Sequence, residues 1–291
     1  MMARSALLLF SLFMLDCHSA EAQRTKAKGN VTFYAAPNGV DCLPGGDPCT
    51  LRNDCLSPAN PCTPQGAHTV AKINWDFAEG GCTIKLANGT YTEGVSIAGQ
   101  YVGTHLCQVY GHVDQNGACI DREQVVFDVE NKIVFSVQDF MITSIACLTV
   151  QGTGGSLGFW GRQHAIIDLA YIKCGAIYQC ISLIDMASSN VVGDIWIAGD
   201  SHCFACVNKQ SHLKFTNTKI AVTVPVSLRY FILSASQSMV EFIGDNEVIN
   251  PQYIAGSSCW PYIRGIIVTG GMPLPCVVDP PDGPGNDGKV Y

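Results

Sequence analysis

Apolar and polar residues along this chain form short, strand-sized runs. From about residue 130, five units share one pattern: an apolar strand, a short polar turn rich in Ser, Gln, Asn or His, and a second apolar strand. The residues that follow the turns are separated by 25, 26, 22 and 27 positions, at Phe140, Ala165, Val191, Leu213 and Val240. A strand-based repeat of this length is typical of stacked supersecondary units.

An antiparallel β-sandwich is the main alternative, because it also contains many short strands. Its hairpin turns should recur about every 8–12 residues and favour Asn-Gly or Asp-Gly. In the repeats, irregular turns without those dipeptides separate the strands instead. Helical repeats are excluded, since no 3.6-residue pattern appears after residue 80. We therefore expect an all-β fold, a right-handed parallel β-helix.

A short amphipathic helix is predicted ahead of these repeats. Val70, Ile73 and Phe77 recur at i, i+3 and i+7 within residues 67–78, which places them on one face of a helix. Gly80 and its glycine neighbour then end it.

The first 22 residues have the composition of a secretory signal peptide. An arginine precedes an apolar run over residues 6–15, and Ala20-Glu-Ala22 resembles a cleavage site. The run is too short to span a membrane, and no later stretch reaches the required length. Cys17 would suggest a lipid-anchored cysteine, but Asp16 stands where a small residue is needed. We therefore expect a secreted protein, either extracellular or periplasmic, with no membrane span.

The cysteine count points to the same compartment. The chain has 15 cysteines, and 14 remain after residue 22, which predicts up to seven disulfides in an oxidising space. We expect Cys259 to pair with Cys276. We also expect Cys180 to pair with Cys203 or Cys206 of the next coil, because stacked strands lie about 4.8 Å apart. A Cys203–Cys206 bond would argue against such stacking.

Four segments are expected along the chain. Residues 1–22 are the signal peptide, and residues 23–66 hold an N-terminal strand and a disulfide-rich loop. The capping helix and the β-helix follow at 67–272, and a flexible Pro/Gly/Asp-rich tail at 273–291. The loop cysteines are too widely spaced for a typical zinc site and favour structural disulfides: Cys42, Cys49, Cys55 and Cys62.

Charge excludes one class of partner. Only 14% of residues are charged and 47% are hydrophobic, which indicates a large continuous core. The formal net charge is −7 for the whole chain, and −6 after residue 22, where 16 basic and 22 acidic residues remain. This balance argues against nucleic acid as a partner. It does not decide whether anionic sugars bind.

Two N-terminal segments resemble the opening of pectin-lyase-like right-handed β-helix proteins. Residues 33–41 form a strand ending in Pro-x-Gly-x-Asp, and residues 82–97 contain a strand leading into Gly-Thr-Tyr-x-Glu. In that superfamily a helix between such segments covers the N-terminal end of the solenoid, where an open strand edge would template aggregation. The resemblance covers residues 31 to about 250. It implies the architecture but no single reaction, because the fold hosts lyases, hydrolases, esterases, adhesins and phage proteins.

Within that superfamily, residues 191–203 are similar to the polygalacturonase strand that runs into Gly-Asp-Asp-Cys. The resemblance implies that Asp200 is one acid of a hydrolytic group, which needs two or three carboxylates to donate a proton and activate water. Ser201 replaces the second aspartate of the motif. One coil earlier, Tyr178-Gln179 stands where the family carries another. The Gly-His-Gly and Arg-Ile-Lys motifs of the family are absent.

A diverged polysaccharide lyase or glycoside hydrolase would be centred on Asp200 and His202, with Asp185 as a third candidate catalytic residue. Only a calcium-dependent lyase would need a cofactor, since it requires converging acidic residues and a basic side chain. Lys209 and Arg229 are the candidate bases. The histidine and two cysteines at 202–206 are too few for a closed zinc site, so we expect no metal there.

Aromatic residues support a second hypothesis. Trp160, Tyr178 and Tyr230 fall near one edge of successive strands, where they could stack on sugar rings beside Arg229. Aromatic side chains also fill interiors or shield flanks. The scaffold is intact, but no catalytic motif is complete. We therefore favour a non-catalytic secreted β-helix protein that binds a polysaccharide or cell-surface glycan without a cofactor, over a diverged lyase or hydrolase.

Overall fold

The computed structural model describes residues 24–41, 53–99, 101–104, 106–278 and 287–291. The described residues form an all-β parallel solenoid of about eight coils. This confirms the predicted fold class. The predicted signal peptide, as well as Cys42 and Cys49, lies outside the described residues.

Two long sheets form the walls of the solenoid, and the strand pairings within them are parallel. Sheet A has thirteen strands: β2 (Val31–Ala35), β4 (Cys82–Leu86), β5 (Gly89–Tyr91), β7 (Leu106–Tyr110), β8 (Val125–Glu130), β10 (Ile142–Thr153), β12 (Ile166–Cys174), β14 (Ser188–Ile197), β16 (His212–Val222), β18 (Met239–Ile243), β19 (Glu247–Ile249), β22 (Ile266–Val268) and β24 (Lys289–Val290). Sheet B has nine strands: β6 (Val95–Ile97), β9 (Ile133–Val137), β11 (Leu157–Gly161), β13 (Gln179–Leu183), β15 (Ser201–Val207), β17 (Val226–Ala235), β20 (Ile254–Ala255), β21 (Ser258–Tyr262) and β23 (Val277–Val278). A separate pair joins β1 (Thr25–Lys26) to β3 (Trp75–Asp76).

Sheet A is divided into two facets by a bend within its strands. Its longest strands show this, because each of them pairs with two shorter strands in succession. The first half of β10 pairs with β7 and its second half with β8, and β16 pairs with β18 and β19 in the same way. A residue with positive φ marks this bend in successive coils: Cys147, Tyr171, Gly193, Asn217 and Gly244. Each coil therefore has three sides, namely the two facets of sheet A and sheet B.

The pairing register corrects the repeat alignment expected from sequence. Thr143, Ile167, Ser189, Leu213 and Val240 are partners in sheet A, so these coils are 24, 22, 24 and 27 residues long. The predicted equivalence of Leu213 and Val240 is confirmed, whereas Phe140, Ala165 and Val191 are out of register. Phe140 lies inside a turn with φ 61° and is 60% exposed. The sequence pattern places Phe140 in a strand because its side chain is apolar, and this prediction is wrong.

Six successive coils, from β9 to β22, return from sheet B to sheet A through two consecutive residues of left-handed conformation. Such φ values are uncommon for residues other than Gly, Asn and Asp. Stacking stabilises them here, because an amide in one turn donates to a carbonyl of the next, as from Met186 to Lys209 at 3.0 Å. The turn pairs are Asp139–Phe140, Gln163–His164, Asp185–Met186, Lys209–Gln210, Ser236–Gln237 and Ile263–Arg264.

Inward side chains from both sheets form one continuous core along the solenoid. Phenylalanines from successive coils stack inside it: the Phe135 and Phe159 rings are 5.6 Å apart at 4°, and the Phe215 and Phe242 rings are 4.8 Å apart at 8°. Register makes such stacks possible, because equivalent positions of neighbouring coils lie directly above one another. The large core expected from composition is thus distributed along the axis.

The predicted N-terminal helix is present but shifted. Helix α1 spans Pro64–Asn74, and Thr63 caps it by accepting a hydrogen bond from the Gly66 amide at 3.0 Å. Val70 is buried as expected, whereas Ile73 is 48% exposed. Phe77 is buried but lies beyond β3, because the chain leaves the helix at Trp75 in an extended conformation. The helix packs against β2 and β4 at the N-terminal end of sheet A, as expected of a cap.

Six disulfides link the described cysteines: Cys55–Cys62, Cys82–Cys107, Cys119–Cys147, Cys174–Cys180, Cys203–Cys206 and Cys259–Cys276. The Cys259–Cys276 prediction is confirmed. The prediction that Cys180 bonds Cys203 or Cys206 is wrong.

The physical reason is that Cys180 faces the core, whereas Cys203 and Cys206 face outward from the neighbouring coil. The expectation that a Cys203–Cys206 bond argues against stacking is also wrong. Gln179 and Cys203 are direct strand partners in spite of that bond.

Two short strands lie within the predicted tail. β23 pairs with β21, and β24 pairs with β22. In the part of the chain that the structure describes, no helix is long and apolar enough to cross a membrane.

Candidate functional site

The outer face of sheet B is shaped by a repeated inward doublet. In several successive coils two neighbouring residues both point into the core, as Cys180–Ile181, Phe204–Ala205 and Phe231–Ile232 do. Two consecutive inward residues break the strand alternation and bend the strand. The residues on either side of each doublet therefore both face outward.

Five outward residues form a small cluster separate from the main core. We call it the outer crease; its members are Cys203, Cys206, Tyr230, Leu233 and Trp260. Register explains the contacts, because Tyr230 stacks on Cys203, and Leu233 lies between Cys206 and Trp260. Tyr230 is only 9% exposed although it lies outside the main core. The crease is therefore a local, partly desolvated apolar surface.

Aromatic rings continue from the crease in an unbroken row along the solenoid axis. The Tyr178 and His202 rings are stacked 4.7 Å apart, and His202 meets Tyr230 edge-on at 5.5 Å. Trp260 stacks on Tyr230 at 5.6 Å, with Tyr262 a further 4.8 Å away. The row crosses three coil steps, which is about 14 Å along the axis.

Exposure changes along this aromatic row. Tyr178 is 41% exposed at one end, whereas Tyr230 is nearly covered by its neighbours. Arg229 is exposed beside the row, with its guanidinium carbon 5.3 Å from the Tyr230 ring centre. In the described part of the chain no carboxylate forms an ion pair with Arg229. The row therefore has one well-exposed ring, Tyr178, and one cation, Arg229, that no described carboxylate neutralises.

The surroundings of His202 favour its neutral form. Its pKa is lowered, first because burial between its neighbours penalises the charged ring and second because the positive charge of Arg229 is close. A neutral imidazole can both donate and accept a hydrogen bond.

A shallow depression of about 430 Å³ adjoins the aromatic row and contains Asp200. Its lining includes Tyr178, His202 and Ser227 but no second carboxylate. The Asp200 Oδ1 accepts a hydrogen bond from the Ser227 amide at 2.7 Å. Asp200 is thus an exposed residue between strands, and its carboxylate is hydrogen-bonded to the backbone of the next coil.

A second depression of about 460 Å³ lies towards the N-terminus and shares Thr153 with the first. It is lined by Glu93, Asp128 and Glu130 together with Lys132, which pairs with Glu93 at 2.7 Å. The two depressions are therefore neighbours along the solenoid, and the second contains the carboxylates that the first lacks.

The other candidate residues lie apart from this cluster. Asp185 sits in the turn beyond the far end of β13, where Lys209 pairs with it at 3.1 Å. Trp160 is outward on β11 and half-buried, with the guanidinium of Arg162 4.7 Å from its ring centre. Its strand partner in the next coil is Ser182, so no aromatic ring continues from it directly. Asp200, His202, Tyr178, Arg229 and Tyr230 come together, whereas Asp185 and Trp160 do not join them.

Across the described ranges, no group of three or more His, Cys, Asp or Glu side chains is arranged to hold a metal ion. Cys203 and Cys206, which flank Phe204 and Ala205 next to His202, are joined in a disulfide.

The sequence pattern did not identify Trp260 and Tyr262, which lie at the C-terminal end of the row. The repeat spacing does not point to Trp260, because the pairing register between β17 and β21 shifts by one residue after Tyr230. Tyr230 therefore pairs with Ser258, while Leu233 pairs with Trp260. A constant repeat length could not find this match.

The class defined by this geometry is a disulfide-bonded parallel β-solenoid with an aromatic row on its outer surface. No protein-family model matches the chain, and neither a curated protein nor a solved structure matches it.

Proposed function

We propose that the protein is a non-catalytic, secreted carbohydrate-binding β-solenoid that holds a polysaccharide or cell-surface glycan along the outer face of sheet B. The aromatic row from Tyr178 to Tyr262 carries the proposal. The six disulfides fit an extracellular, non-cytosolic protein.

The chemistry of the row suits a sugar. Aromatic faces stack against the apolar C–H faces of pyranose rings, while polar groups beside them satisfy hydroxyls. Arg229 supplies donors, the neutral His202 supplies a donor and an acceptor, and Asp200 supplies acceptors. Tyr178 is the most exposed ring of the row at 41%, and His202, Trp260 and Tyr262 are half-buried, so a ligand can reach four of the five rings at least in part.

The shape of the surface favours a polymer over a small molecule. The row runs for about 14 Å along the axis, and the two depressions extend it towards the N-terminus through Thr153. Both are shallow, whereas small-molecule sites usually enclose most of their ligand. An extended chain lying parallel to the axis would contact several coils at once.

Replacing Tyr178 with alanine tests the proposal. Tyr178→Ala removes the most exposed ring of the row, and we expect glycan affinity to fall by about 1–2 kcal/mol, roughly 5–30-fold. Tyr171→Ala is the matched control, because Tyr171 is 40% exposed but lies at the bend of sheet A. Affinity electrophoresis or calorimetry on glycans selected from a glycan array would measure both variants. Equal losses in the two variants, or no array signal for the wild-type protein, would refute the binding role.

A diverged lyase or hydrolase is the second candidate, favoured by one observation: Asp200 and His202 line the same depression. A hydrolase needs a second carboxylate, about 5–10 Å away in glycosidases. None lines the depression that contains Asp200, and the carboxylates of Glu93, Asp128 and Glu130 line the neighbouring depression instead. Reducing-end and unsaturated-product assays on a polysaccharide panel decide the matter. Turnover that Asp200→Asn abolishes would replace the binding proposal with a catalytic one.

A further inference from the structure

The disulfide between Cys203 and Cys206 lies within a single strand and closes the shortest loop of the six. The two cysteines are three positions apart in β15, and their Cα atoms are 6.0 Å apart. Three steps along an extended strand would cover about 10 Å. The strand is therefore folded inwards at Phe204 and Ala205, and the bond clasps this bend from outside.

Equivalent bends elsewhere in sheet B carry no such clasp. Around the Cys180–Ile181 doublet the outward neighbours are Gln179 and Ser182, and around Gly158–Phe159 they are Leu157 and Trp160. The bend can therefore form without a cross-link. The clasp occurs in β15, whose two outward cysteines are the strand partners of Tyr230 and Leu233.

The clasped cysteines form the floor of the outer crease. Cys203 is the strand partner of Tyr230, and Cys206 is the partner of Leu233, which in turn partners Trp260. Cys203 is fully buried and Cys206 is 8% exposed, so the rings above cover both. The position and orientation of the Tyr230 ring therefore depend on the positions of Cys203 and Cys206.

Global stability does not explain this bond. A disulfide restricts the unfolded chain more as the loop that it closes grows. Cys82–Cys107 and Cys119–Cys147 close loops of 25 and 28 residues between coils, whereas Cys203–Cys206 closes only three. Its effect on the unfolded state is the smallest of the six, so its main effect is local to the folded crease.

We infer that the Cys203–Cys206 disulfide is a positioning element of the glycan site: it fixes the bend of β15 and thereby holds Tyr230 and Trp260 at their stacking distance. This inference rests on the proposed function for the identity of the ligand. The positioning itself can be measured without any ligand.

The test removes the bond and follows structure and binding separately. In the double variant Cys203→Ala/Cys206→Ala, we expect faster amide deuterium exchange in residues 201–207 and 226–235. The near-ultraviolet circular dichroism of the Tyr230–Trp260 pair should weaken. Glycan affinity should fall about tenfold or more, because a preorganised surface becomes mobile. The thermal midpoint should change less than in the control Cys82→Ala/Cys107→Ala, which removes a 25-residue cross-link and should retain full affinity.

Each outcome has a defined meaning. Unchanged exchange and dichroism in the 203/206 variant would overturn the inference, even if wild-type binding is strong. If wild-type protein binds no glycan, the proposed function fails, while the exchange data still decide the positioning role. A second variant, Cys203→Val/Cys206→Ala, restores part of the apolar volume. If neither variant folds, the disulfide is required for folding of the whole protein and the inference is wrong.

Discussion

Buried His68 should make the fold sensitive to acid. The imidazole is 3% exposed in helix α1, and its Nδ1 shares a hydrogen bond with the hydroxyl of Tyr101. Burial, followed by the charge of Lys72, lowers the pKa of His68 from 6.5 to about 4. The folded protein therefore keeps this histidine neutral at a pH where an unfolded chain would protonate it.

The size and sign of the effect follow from the two pKa values. Between pH 6.5 and about 4 the unfolded chain binds a proton that the folded chain excludes, so stability is complete above pH 6.5 and is lost as the pH falls. A pKa lowered from 6.5 to about 4 corresponds to about 3 kcal/mol. We expect the wild-type protein to lose this amount between pH 7 and pH 4 from His68 alone.

The assay compares His68→Gln with wild type by urea denaturation at pH 7 and pH 4. Glutamine does not titrate and can still hydrogen-bond Tyr101. All other titratable groups are identical in the two proteins, so the difference between the two pH slopes isolates His68. His212→Gln is the control, since His212 lies on the exterior paired with Glu241 at 2.8 Å. If His68→Gln retains the wild-type pH slope, the account of an excluded proton is wrong.

Two further pairs of substitutions, each a test with its control, probe the core and the outer surface by denaturation. Phe159→Ala should lower the free energy of unfolding by about 3–5 kcal/mol, because the ring is fully buried and stacks on Phe135. Phe140→Ala, in a turn where the side chain is 60% exposed, should change it by no more than about 0.5 kcal/mol. Similar losses in the two variants would contradict the assigned register. Arg122→Ala should cost about 1–3 kcal/mol, since its guanidinium lies 4.1 Å from the Trp196 ring and donates to the Asp194 carbonyl at 2.9 Å. Arg122→Lys should not restore the loss, because lysine lacks the planar stacking group; full rescue would show that charge alone matters.

The coil repeat was predictable from sequence because strand-sized apolar runs recur whenever a chain returns to the same wall. The register within each coil was not, because left-handed turns accept an apolar residue such as Phe140 as readily as a polar one. The cysteine pairing failed for a related reason. Sequence spacing placed Cys180 near Cys203, but it could not show that one faces the core and the other faces out.

The candidate site was partly predictable for a different reason. Tyr178, Arg229 and Tyr230 were found because large aromatic and basic side chains near strand ends are conspicuous in any sequence. His202 was found through a catalytic motif and lies instead within a ring stack. Trp260 was missed, because the register shift before β21 moves it away from the position that a constant repeat would give.

A solenoid builds its surface in columns, so residues that act together are separated by whole coils in the chain. Tyr178, His202 and Tyr230 are 24 and 28 positions apart and still form one row. The same rule bears on Asp200. Its column neighbours are Ala176, by the Gln179–Cys203 register, and Ser227, whose amide it binds. Acid–base catalysis on a polysaccharide would require a carboxylate in or beside that column, whereas recognition requires only rings and hydrogen-bonding groups, which the adjoining column supplies.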